Sequence, residues 1–253
     1  MTNEVITTQE LLDLSSNEDL EPLVEYILKA STERLSSSPQ YKRYHPDHSR
    51  YVDTIYEEIR LFGGNTLVNV FRREGPSYLE VLQDAAEKVG VKEVSKYPTI
   101  ELEQRMIQEL LRKVAKDSEG KARDDLEEAM REAGMSQKDY KAFISGASLA
   151  SLLAPHLYRI FMSRASQLIA SAVAKQMLGH GLRMGAGFVG GRAGSLLLGP
   201  VGLVLAGIWT AVDIAGPAYR VTVPCTLHIA MLRQKWMAEQ EIGSLKEAFD
   251  DEY

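Results

Sequence analysis

Ala193–Val212, AGSLLLGPVGLVLAGIWTAV, is twenty consecutive residues without a charge, and its reading sets the class of the whole chain. Just upstream, Gly187 and Gly191 form one small-xxx-small pair, and Gly190 and Gly194 form a second that overlaps it. Glycine has no Cβ, so such pairs let another helix, of the same or a second copy, approach closely. Pro200 and four glycines lie inside the run, which suits a bent or re-entrant apolar segment better than one straight span. Trp209 falls within it, and Asp213 ends it. A carboxylate at that place is costly in lipid and calls for a basic partner, a watery cavity or the interface. Arg192 and Arg220 flank the run, with Arg183 a little further upstream.

Outward from this segment the charge is lopsided. Between Ala142 and Lys235 eight bases face a single acid, so that segment carries +7 while the rest of the −6 chain carries −13. A basic, apolar C-terminal half is drawn to an acidic N-terminal half, and also to an anionic surface. The bases are scattered singly with few aromatics among them, which argues against a nucleic-acid platform. The N-terminus lacks the basic and apolar regions of a secretory signal. One cysteine, Cys225, allows neither an internal disulfide nor a cysteine metal cluster, and it suits a reducing compartment.

The remainder reads as amphipathic helix. Thr7-x-x-Glu10, Ser77-x-x-Glu80 and Ser136-x-x-Asp139 have the form of reciprocal N-terminal caps. Ser16 can cap a helix with Pro22 in its first turn and Leu20, Leu23, Val24, Ile27 and Leu28 on one face. Residues 31–49 read as a loop. Within it His45, Asp47 and His48 carry metal-type donors but lack further ligands. Val52, Ile55, Tyr56, Ile59 and Phe62 make a stripe closed by Gly63-Gly64, one of which is expected in the left-handed C′ position. A short helix is expected over 65–71. Gly90 stops the helix that follows Ser77. A longer helix from Thr99 carries Met106, Ile107, Leu110, Leu111 and Val114, and residues 123–133 form a charged one. Ala142–Tyr158 is uncharged but only seventeen residues long, marginal for crossing a bilayer. Pro224 is expected to open a final helix after extended residues 221–223, and the end of the acidic tail, residues 239–253, is expected to fray.

Enzyme signatures are absent from the sequence. It has no nucleophile elbow, zincin motif, dinucleotide fingerprint or phosphate loop. Cys225 at a helix start reads as a small buried hydrophobe or, at a helix N-terminus, a reactive thiolate. His180 and His228 lie in the apolar half and could face each other or serve as core histidines.

Three blocks, LFGGNTLVNVFRREG (61–75), MLGHGLRMGAGFVGG (177–191) and AYRVTVPCTLHIAMLRQ (218–234), resemble those of the bacterial YaaW family of helical proteins. The resemblance spans roughly residues 17–235. It implies an α-helical fold and no catalytic residues to carry over. Through a described similarity of some members to the ubiquinol–cytochrome c chaperone family, it also implies binding to an immature membrane protein.

The expected protein is therefore all-α: an acidic amphipathic bundle over 1–134, a basic apolar region over 135–238 with a Gly-rich helical hairpin, and an acidic tail over 239–253. One arm of the hairpin is expected near 142–174 and the other near 187–215. No enzyme, cofactor, metal or small-molecule substrate is called for. The expected partners are membrane lipid or a membrane protein, with a possible homo-oligomer, and the expected place is the cytoplasmic face of a membrane, where the apolar segment associates, inserts or perturbs. The alternative is a soluble chaperone-like or assembly module that binds a partner protein.

Overall fold

A computed structural model describes residues 6–30, 33–63, 75–117, 124, 127, 130–131, 135–180, 182 and 218–250, the last seven by backbone alone. The described residues are mostly helical, with no strand among them, so the fold is all-α. The helices are α1 (Thr8–Asp13), α2 (Asn17–Lys29), α3 (Arg34–Ser37), α4 (Pro39–Tyr44), α5 (Val52–Phe62), α6 (Tyr78–Lys88), α7 (Thr99–Asp117), α8 (Gln137–Ile144), α9 (Leu149–Leu152), α10 (Pro155–Leu178) and α11 (Tyr219–Asp250).

Three of the starts are reciprocal caps, as the spacing predicts. Thr7, Ser77 and Ser136 each accept the amide three residues on, and Glu10, Glu80 and Asp139 return a carboxylate to the cap's own amide. Each pairing occupies N–H groups that a first turn leaves without a carbonyl. Gly90, with φ of 103°, takes the left-handed position that stops the chain after α6. The apolar stripe of α7, Met106, Ile107, Leu110, Leu111 and Val114, is buried as its period requires.

α11 is the axis of the bundle. From Val221 to Gln234 every residue is buried, so the helix has no solvent face along that length, and a helix enclosed on all sides needs no amphipathic period. It packs most extensively on α10 and also on α1, α2, α5, α6 and α7. One apolar core therefore takes in Leu20 and Ile27 of α2, Leu82 of α6, Leu110 of α7, Ile169 of α10 and Ile229 of α11. Arg159 at the start of α10 pairs with Glu241 far along α11. The two helices thus run antiparallel, and the end of α10 lies beside the first turns of α11.

Several local expectations are corrected. Residues 33–49 are mostly helix: Ser38 accepts the Tyr41 amide at 3.1 Å, and Pro39 starts α4, where its missing N–H costs nothing. Pro22 and Pro224 sit six residues into α2 and α11, beyond the first turn. Each forfeits one ladder bond in a helix that burial on neighbouring helices retains. Val221–Val223 are helical because the Ala218 carbonyl accepts the Val221 and Thr222 amides at 3.1 and 2.9 Å. The backbone of the acidic tail is helical to Asp250, and the end expected to fray, residues 251–253, lies outside the described residues. Gly63 is right-handed, with φ of −77°, and its need is space. A Cβ there would lie 2.4 Å from a methyl of Val81, so the glycine lets α5 and α6 meet. Gly64 and the helix expected over 65–71 lie outside the described residues, as does most of 123–133.

The arm expected near 142–174 is not one helix. α8 ends at Ile144, Gly146 turns the chain with φ of 119°, and Leu153 is extended before Pro155 opens α10. Pro155 disfavours helix at the residue before it, which fixes that break. The second arm of the hairpin lies outside the described residues.

Candidate functional site

Thr222, Thr226, His228, Arg233 and Gln234 of α11 are among the polar side chains that the fold buries. Arg233 is 1% exposed, and each guanidinium nitrogen is occupied. Nε donates to Glu103 Oε2 at 2.7 Å, Nη1 to the Ile6 carbonyl at 3.0 Å and Nη2 to Thr8 Oγ1 at 2.8 Å. Glu103, itself 0% exposed, takes a second bond on Oε1 from the Tyr78 hydroxyl at 3.0 Å. One ion pair thus joins α6, α7 and α11 to the chain entering α1. Burial pushes the Glu103 carboxyl above its ordinary range, and the Arg233 charge and the hydrogen bonds to it oppose that. Burial alone would lower Arg233, but the Glu103 carboxylate holds it above its usual value. The Tyr78 phenol is driven well up by burial and then by Glu103. A guanidinium that cannot release its proton and a phenol held neutral supply no acid or base near neutral pH. The cluster ties α11 to α6, α7 and the entry to α1 as a clamp.

A second cluster lies where α11 meets α2. His228 Nε2 donates to the Asp19 carbonyl at 2.7 Å, which leaves Nδ1 as the unprotonated nitrogen, buried without a hydrogen-bond partner. The Tyr26 hydroxyl is likewise buried and unpartnered, with its ring edge-on to the imidazole at 6.4 Å. Lys235 Nζ lies 3.1 Å from both Asp19 carboxylate oxygens. Burial lowers His228 to about 4, against a smaller opposing pull from the Asp19 carbonyl, so the ring is neutral at pH 7. Cys225 is buried and its thiol is pushed up by burial. It is a small core side chain, not a thiolate. The two histidines of the apolar half find different partners, since His180 sits 3.4 Å from Glu25 at the surface.

On the outside, two adjoining clefts of about 250 and 390 Å³ run along α7 and share Arg105, Gln108 and Ser148. Their polar lining is already engaged. Arg105 lies over the Tyr97 ring at 3.8 Å and pairs with Glu101 at 2.8 Å. Gln108 Oε1 accepts the Leu149 amide at 3.0 Å, and Arg112 donates to the Phe143 carbonyl at 2.9 Å. Of the three metal-type residues, His48 is buried with Nδ1 2.6 Å from the Tyr51 hydroxyl. Asp47 accepts from Ser49, and His45 stacks on Tyr41. Among the described residues no group of three or more His, Cys, Asp or Glu is arranged to hold a metal.

Of the residues singled out in sequence, Arg220 is exposed in the first turn of α11. Arg183, Gly187, Gly190, Gly191, Arg192, Gly194, Pro200, Trp209 and Asp213 lie outside the described residues. Glu103 and Arg233 were missed, though the signal for one was present. Glu103 stands three, four and seven residues before Met106, Ile107 and Leu110, an acid on the apolar stripe of its own helix. Among the described residues no helix is long and apolar enough to cross a membrane.

No protein-family model matches the chain, and no solved structure matches it. Named bacterial proteins do. A "UPF0174 protein" of Helicobacter pylori strain J99 is 34% identical over 218 residues, covering 84% of this chain and 83% of that protein. A "UPF0174 protein" of Helicobacter pylori strain 26695 is 36% identical over 220 residues, 82% of this chain and 99% of that protein. The "UPF0174 protein YaaW" of Escherichia coli K12 is 31% identical over 199 residues, 78% of this chain and 77% of that protein.

Proposed function

The chain belongs to the UPF0174 family, and from that premise we propose that it is a non-enzymatic helical protein that associates with a membrane through Ala193–Val212. The observation that carries this reading is where the run is tethered. Its twenty uncharged residues belong to the connection between Leu178 and Tyr219, the neighbouring ends of the antiparallel pair α10 and α11. The helices on either side of it thus end and begin at the same end of the bundle, while the buried clamp of α11 holds that pair to the acidic helices. Twenty uncharged residues match the hydrocarbon thickness of a bilayer. Their glycines and Pro200 suit a bent or re-entrant path whose partner helices pack on Gly187, Gly190, Gly191 and Gly194. The protein then works from the cytoplasmic face, by binding rather than by catalysis.

Cell fractionation with a carbonate wash, run beside flotation of the purified chain on liposomes, tests this. Retention in the washed membrane pellet and co-flotation are expected. A protein wholly in the soluble fraction that does not float would reject the membrane reading and leave a soluble partner-binding module.

A further inference from the structure

α10 differs from every other described helix of eight residues or more, because its sequence, PHLYRIFMSRASQLIASAVAKQML, holds no acid. Its inner faces bury Met162, Ala165, Ile169 and Val173 against the bundle. Stepping by threes and fours, the opposite face runs Leu157, Ile160, Arg164, Leu168, Ser171 and Lys175. At 100° per residue these six fall within an arc of about 80°. Ile160 is 37% exposed, one of three large apolar side chains exposed among the described residues, and Arg164 and Lys175 are exposed as well; Leu157, Leu168 and Ser171 are half-buried, Leu157 against the core. Arg159, a turn earlier, is engaged by Glu241.

Aliphatic side chains alternating with cations in one row suit an interface that is apolar on one level and anionic just above it. Long basic side chains lay their stems along apolar surface and lift their charge to the phosphate level. A nucleic-acid backbone would match the cations but leave Ile160 and Leu168 facing phosphate and water. The cations that α10 leaves exposed, Arg164 and Lys175, favour a surface that is itself negative. We propose that this outer face of α10 lies on an anionic phospholipid surface, with Ile160 and the half-buried Leu168 at the acyl boundary and Arg164 and Lys175 on the headgroup phosphates. The inference rests on the membrane reading and gives it a lipid class. α10 lies in the plane of the surface beside the point where the uncharged segment departs.

The test uses the full chain with vesicles of phosphatidylcholine alone and with vesicles containing about a third phosphatidylglycerol. The parent protein should bind the anionic vesicles at least tenfold more tightly, and high salt should weaken that preference. The double variant R164E/K175E should lose on the order of 30-fold on anionic vesicles, from the attraction of two basic groups to such a surface. On neutral vesicles it should be unchanged. Both positions are exposed, so its melting temperature should match the parent's. Equal binding to both vesicle types, or undiminished binding by R164E/K175E, overturns the assignment of α10 while the membrane reading stands. A variant that instead loses affinity for duplex nucleic acid, with vesicle binding intact, also overturns it. Absence of binding to either vesicle removes both readings together.

Discussion

Replacing Glu103 by glutamine takes away the carboxylate beside Arg233 and keeps the shape. Arg233 retains the Ile6 carbonyl at 3.0 Å and Thr8 Oγ1 at 2.8 Å, both neutral, and its side chain is 2% exposed. A guanidinium left uncompensated at such a site costs about 3–5 kcal/mol, a large part of the 5–15 kcal/mol typical of a folded domain. At roughly 2–4 °C per kcal/mol for a chain of this size, the midpoint should fall by about 10 °C. Removing the other partner is cheaper. In Arg233→Met the buried Glu103 can take up a proton, because burial already pushes its carboxyl up and the opposing charge is gone. Protonation is favoured by folding in that variant, so its stability is greatest at low pH and declines as pH rises past the ordinary carboxylate range. The double variant Glu103→Leu/Arg233→Met should recover most of the loss, less about 1 kcal/mol for each surrendered bond to Ile6 and Thr8. Urea unfolding followed by circular dichroism of the parent, Glu103→Leu, Arg233→Met and the double variant gives the four corners of the cycle. Additive losses below about 1 kcal/mol each, with Arg233→Met insensitive to pH, would show that the pair is solvated and would refute the clamp.

Two further outcomes follow from the packing. His228 falls from 6.5 in the unfolded chain to about 4 in the fold, so its contribution is complete above pH 6.5 and is lost as pH falls toward 4. At 1.36 kcal/mol per unit that loss reaches about 3 kcal/mol. His228→Gln, which keeps a donor for the Asp19 carbonyl, should flatten this part of the pH–stability curve, and an unchanged curve would place the titration elsewhere. Gly63→Ala puts a Cβ 2.4 Å from Val81 and should cost about 1–3 kcal/mol by overpacking. Adding Val81→Ala should restore part of it, and a neutral single variant would show that α5 and α6 separate freely.

The helices whose outer faces meet water were legible. α2, α5, α6 and α7 show their apolar stripes at helical spacing, and the starts of α2 and α6 are written in a Ser and a carboxylate three residues on. α11 was not legible in the same way. Val221–Gln234 is buried all round, so it has no polar face to create a period, and Pro224 then reads as a start instead of an interior residue. The helices within 33–49 were hidden by Ser, Pro and His, which favour caps and turns as readily as short helices. In the candidate site, Glu103 was visible as an acid on an apolar stripe. Its partner was not, because 130 residues separate the two in sequence and only the packing of α11 against α7 brings them together. The Gly-rich residues read from composition lie outside the described part of the chain, so their assignment still rests on sequence chemistry.

The antiparallel course of α10 and α11 has an evolutionary consequence. Residues 183–217 are bracketed by two helix ends that the core already holds side by side, so the chain-entropy cost of joining those ends depends only weakly on the length of the connection. Closing a loop of about forty residues in place of one of about a dozen costs only about 1 kcal/mol. The intervening stretch is a cassette: its length and composition can drift or be exchanged under selection for whatever it touches, while the core, fixed by α11, keeps its own constraints.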